Sequence, residues 1–133
     1  MKRRRDAPKI RYFDTGPIPI FFGFTTDPKA FARECKRLGV GKDVPFTPNG
    51  APASAHHFTR RSDGQVTSIV TLDRAKCRGR KAYEIHAVMA HEAVHVWQTA
   101  RKYMGERKPG RETEAYCIQD WVLRMASAYE KGH

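Results

Sequence analysis

Apolar residues recur through the second half of the chain at intervals of three and four: Ile85, Met89, Ala93, Val96, Trp97, Ala100 and Met104. At 3.6 residues per turn these positions share one broad arc, which predicts a long helix over residues 82–104, buried along one side. A second stripe, Ile118, Trp121, Met125 and Tyr129, predicts another helix that opens at Arg111 and ends near Tyr129. The first half changes pattern. Residues 17–24 are rich in isoleucine and phenylalanine and edged by prolines, which suits a strand. Asp27-Pro28 supplies an N-cap and a proline at the first helical position, Phe31, Cys35 and Leu38 form a buried stripe, and Gly39 ends that helix. Glycine and proline make residues 40–52 irregular. Residues 54–61 and 66–72 form a hairpin about Asp63-Gly64, a strong turn pair.

The expected order is therefore strand, helix, strand, strand, long helix, helix. It describes an α+β domain whose small, mostly antiparallel sheet packs on the long helix and a C-terminal helix. Its 133 residues, 40% of them hydrophobic, suit one domain over residues 11–133, with residues 1–10 as a basic, detachable arm. No apolar run approaches the roughly 20 residues of a membrane span. The basic N-terminus lacks a following secretory stretch, because residues 18–24 are short and contain proline and glycine. Export by a signal peptide is not expected. Cys35, Cys77 and Cys117 are odd in number and widely spaced, as in reduced thiols of a reducing compartment.

The chemistry lies in His91-Glu92-Ala93-Val94-His95. Residues four apart on a helix fall on nearly the same face, so both imidazoles can reach one Zn²⁺. Glu92 is rotated by roughly 100° from His91, too far round to be a ligand yet placed to take a proton from a water that the metal acidifies. A catalytic zinc usually takes three protein ligands. Downstream of His95 the only histidine is the terminal His133, so the third ligand is sought among carboxylates. Glu114 is in register with Ile118, Trp121 and Met125 and is expected to point inward, where a carboxylate is costly unless paired or metal-bound. Glu112 points elsewhere and is the fallback.

These residues resemble the gluzincins, metallopeptidases that bind zinc through the two histidines of this motif and a glutamate on the next helix. The Glu112-Thr113-Glu114-Ala115 segment also looks like the helix start of small regulatory peptidases related to phage antirepressors. In both, the ligand is the glutamate directly before alanine, which matches Glu114. The resemblance covers residues 83–121. It departs where thermolysin-type enzymes carry an aspartate four residues after the ligand glutamate; here Ile118 stands, and Asp120 is out of phase. The large second domain of thermolysin-like enzymes has no counterpart here, and what remains resembles the minimal zincin-like proteins encoded by bacteriophages. By the same resemblance, residues 66–72 occupy the place of the cleft-edge strand that pairs with substrate; an inner hairpin strand is the alternative. Arg111, Tyr116, His56 and His57 are the candidates for stabilising a tetrahedral intermediate.

Charge adds a second theme. Lysine and arginine outnumber acids 25 to 14, a net charge of +11, including Lys2-Arg3-Arg4-Arg5, Arg60-Arg61 and the basic residues of 74–81 and 101–111. Such a field favours nucleic-acid backbones or acidic proteins without fixing a sequence. No helix-turn-helix or cysteine finger accompanies it. Two functions follow. One is a zinc metallopeptidase acting on a peptide or protein in the cytoplasm, that of the host if phage-encoded, or in the virion. The other is a zinc-braced zincin-fold structural or assembly protein of a phage particle, or one associated with a polyanion.

Overall fold

Among the residues that the computed structural model describes, 9–41, 43–104 and 110–133, seven elements follow one another. They are β1 (Arg11–Phe13), β2 (Phe21–Thr25), α1 (Pro28–Arg37), β3 (Ala53–Thr59), β4 (Val66–Leu72), α2 (Ala82–Tyr103) and α3 (Arg111–Glu130). The class is α+β. Residues 1–8 of the expected basic arm lie outside the described residues.

The strands form one mixed sheet in the order β1-β2-β4-β3. β2 runs antiparallel to β1 and parallel to β4, and β3 pairs antiparallel with β4. A parallel pair cannot be joined by a tight turn, and α1 and β3 both lie in the connection between β2 and β4. All seven residues of β4 are buried. The expectation that residues 66–72 form the cleft edge is thus corrected: β4 is an inner strand, and the edge is β3. The reason is legible in composition. Val66–Leu72 carries no charge and four aliphatic residues, as a strand enclosed on both faces requires, whereas β3 carries His56 and His57.

Each sheet face has its own cover. Phe22, Phe24, Val66, Val70 and Leu72 meet Met89, Ala93, Val96 and Trp97 of α2 and Trp121 and Met125 of α3. On the other face, Phe31 and Cys35 of α1 cover Ile69 together with Phe46 and Phe58. The first cluster is much the larger, so α2 is the helix most firmly fixed on the sheet, and it carries the candidate chemistry.

Local rules account for most boundaries. Asp27 caps α1 by accepting from the Lys29 N–H at 3.0 Å, and Gly39, at φ 73°, turns the chain out of the helix. Helix α2 has Lys81 at its N-cap, whose N–H donates to the Glu84 carboxylate at 3.2 Å. β1 was not expected from the sequence, being only three residues long. Ile18 and Ile20, expected in a strand, lie instead in the turn before β2, buried. The Thr15 hydroxyl holds that turn by donating to the carbonyls of Ile18 and Ile20 at 3.1 and 2.9 Å. Gly23 lets β1 lie close over β2, since a Cβ there would meet Ile10 Cγ2 at 2.6 Å. No helix among the described residues is long and apolar enough to cross a membrane.

Candidate metal centre on helix α2

His91 and His95 lie on the exposed arc of α2, one turn apart. Their rings meet edge to face, with centroids 4.8 Å apart and planes at 77°. The two Nε2 atoms converge to 3.1 Å. Two nitrogens bound tetrahedrally to one zinc at 2.0–2.1 Å would stand roughly 3.4 Å apart, so a small adjustment lets both lone pairs meet at one ion. His95 Nδ1 lies 3.0 Å from Gln98 Oε1. With the amide oxygen accepting, Nδ1 carries the hydrogen and Nε2 keeps its lone pair, the tautomer that a metal ligand needs. Gln98, and neither Ile118 nor Asp120, is thus the residue that meets the His95 ring. Asp120 is engaged with Arg124 at 2.9 Å.

Glu92 sits on the side of α2 turned to the sheet, 7% exposed. Burial raises its pKa, the nearby His91 and His95 oppose this, and burial prevails. Among the described residues no hydrogen bond reaches its carboxylate, which raises its readiness to accept a proton.

The structure brings His91, His95 and Glu92 together and leaves Glu114 apart. Glu114 is exposed, as are all of residues 111–116, and burial on α3 begins at Cys117. The expected inward position of Glu114 is thus corrected. Its phase with Ile118, Trp121 and Met125 holds, but the first turn of α3 projects beyond the surface that buries the rest of the stripe. Glu112 is exposed as well. Among the described residues, no group of three or more histidine, cysteine, aspartate or glutamate side chains stands at metal-binding spacing. Cys117 packs against the main core, where burial raises its thiol pKa.

The four candidates for stabilising negative charge separate. Arg111 and Tyr116 are exposed on the first turns of α3, and Tyr116 borders a cleft with Thr15 and Gly16 beyond β1. His56 faces α1: its ring lies 4.6 Å from that of Phe31, and Nε2 lies 3.1 Å from the Phe46 carbonyl and the Thr71 hydroxyl. His57, the next residue on the strand, faces the opposite way. Its Nδ1 lies 2.8 Å from the hydroxyl of the fully buried Ser68. Solvent reaches one side of the ring, yet burial first, then the charges of His56, His95 and Lys102, pull its pKa down to about 4. His57 is thus a neutral imidazole on the edge strand, near the motif helix. Sequence spacing does not reveal that proximity, because it arises only when α2 packs across the sheet. His56, by contrast, is part of the α1 interface.

The donor set suits zinc in kind: two imidazoles whose Nε2 atoms share a hydrogen bond that a metal ion would replace, and a poorly solvated carboxylate beside them. Compared with protein-family models, curated proteins and solved structures, the chain finds no significant match.

Proposed function

We propose that this chain is a zinc-dependent peptidase of minimal gluzincin type, with a zincin-like domain of the kind bacteriophages encode. His91 and His95 hold the metal, with Glu114 as third ligand, and Glu92 is the general base. The observation that carries this reading is the 3.1 Å convergence of the His91 and His95 Nε2 atoms on the exposed arc of α2. Glu114 supports it by phase and by its place directly before Ala115. The ion, when bound, supplies Lewis-acid polarisation of the scissile carbonyl and acidifies the attacking water.

The chain's own residues supply the rest. Glu92 takes the proton of the attacking water on a carboxylate oxygen and returns it to the leaving amine. Gln98 holds His95 in the ligating tautomer. The outer side of β3 offers unpaired main-chain groups to an extended substrate, and His57 on that strand is the residue best placed to meet developing negative charge. Work on a peptide or protein substrate in the cytoplasm, or in a virion, belongs to the same proposal.

Glu92→Gln keeps the shape and removes the base. The variant is expected to retain zinc by elemental analysis and to lose at least roughly 100-fold in peptide cleavage. Undiminished cleavage would remove Glu92 from the mechanism. A second reading, a zincin-fold protein in which zinc braces structure without turnover, is favoured by the exposure of Glu114. Stoichiometric zinc with no cleavage over a broad peptide panel would select it.

A further inference from the structure

Beside β3 runs a groove of about 750 Å³ between the C-terminal end of α1 and the β3–β4 hairpin. Arg37, Arg60 and Arg61 line it together with His57, Thr59 and Gln65, and no carboxylate lines it. Arg37 and Arg60 stand close enough for their charges to repel. Arg37 is tethered by Glu34 through Nε and Nη2, with Tyr12 beside the same pair, and Arg60 by Asp63 and Gln65 through its own Nε and Nη2. Among the described residues Arg61 makes no ion pair. A guanidinium carries five N–H donors, so each tethered arginine is a preset fork with donors to spare. The groove also includes His57, whose imidazole is close enough to His95 of the candidate metal centre to feel its charge.

We propose that the partner received along β3 is an extended acidic polypeptide, its carboxylates held by Arg37, Arg60 and Arg61. This rests on the peptidase reading and names the substrate class of that site. An edge strand presents alternating N–H and C=O groups, which a polypeptide backbone matches by adding a strand. A phosphodiester backbone has acceptors and no N–H donors, so it would use the arginines and leave the strand carbonyls unmet. Side chains of an added strand alternate between faces, so acidic residues at every second position would face the guanidinium groups while their neighbours face α2.

The test uses the zinc-loaded Glu92→Gln protein and a fluorescein-labelled peptide of alternating glutamate and threonine, followed by anisotropy at low salt. Binding is expected to be at least about tenfold tighter than for the lysine–threonine counterpart, through charge complementarity. N-methylation of alternate peptide nitrogens and, separately, Arg61→Glu should each weaken it about tenfold, one by removing strand pairing and the other by reversing charge. Arg61 is exposed and outside any ion pair, so its substitution leaves the fold intact. Equal binding of the N-methylated peptide, equal binding of the lysine peptide, or displacement by oligothymidylate as effective as by unlabelled acidic peptide would overturn the proposal. Zinc content of the same samples separates the two readings. Full zinc without acidic preference refutes this inference alone, whereas acidic preference without zinc binding supports it and refutes the metal centre.

Discussion

Gln98 reaches His95 Nδ1 by a hydrogen bond, and with its amide oxygen accepting, the ring nitrogen left to ligate in the proposed metal centre is Nε2. Gln98→Leu keeps the bulk and removes the acceptor, so zinc affinity is expected to fall about tenfold, the lower end for orienting partners of ligands. Chelator competition would measure this, and unchanged affinity would deny Gln98 the orienting role. His56 gives a different residue-scale expectation. Burial lowers its pKa from the ordinary 6.5, with the Phe46 carbonyl opposing. Below 6.5 the unfolded chain therefore binds more protons than the native one at this position. Its stabilising contribution is full above that value, declines as pH falls toward the lowered native pKa, and is constant below it. His56→Gln should accordingly lose less unfolding free energy than the wild type between about pH 7 and pH 5, read by urea titration; equal losses would place the pH sensitivity elsewhere. Spacing alone made His91, Glu92 and His95 legible, since the helix repeat acts within one turn. Gln98 lies on the same arc, but which atom it meets depends on side-chain rotamers that no pattern encodes.

Helix α3 shows how a correct phase gives a wrong environment. Counting back from Trp121 by seven reaches Glu114 on the same face, yet the opposing surface stops short of it. The periodicity reports direction; burial needs a partner at that height. The direction still ranks the two glutamates. Glu114→Ala is expected to weaken zinc binding at least about tenfold, in line with loss of a ligand or its support, and Glu112→Ala to leave it nearly unchanged. Isothermal titration with zinc would test the pair, and the reverse order would exclude Glu114. The strands divide in the same way. β4 was legible to the residue because β-branched and aliphatic positions fill it at every place but Ser68. Its place inside the sheet was not, because the hairpin pattern fixes which strands pair and says nothing of what lies on β4's other side. There β2 joins it in parallel, through a connection that no local signal announces.

At the scale of the molecule, a net charge of +11 on 133 residues acts on any polyanion before local contacts form. Affinity for duplex DNA is expected to fall steeply as salt rises, with little sequence preference, because binding releases condensed counterions. Deleting residues 1–5 should flatten the plot of log affinity against log salt by the contacts removed; fluorescence titrations at several salt concentrations would show it, and no binding at low salt would leave the charge a matter of solubility. The α+β class was readable from element order. The mixed sheet was not, because strand order is a property of the assembled whole. That order has a bearing on synthesis. β2 and β3 both lean on β4, and β4 is the last strand to be made. Until Val66–Leu72 leaves the ribosome, β3 has no neighbour and β2 has only the three residues of β1. Half of the chain must therefore wait, unassembled, for a latecomer, and the span before residue 66 is where a nascent chain of this protein most needs shelter from proteases and from its own kind.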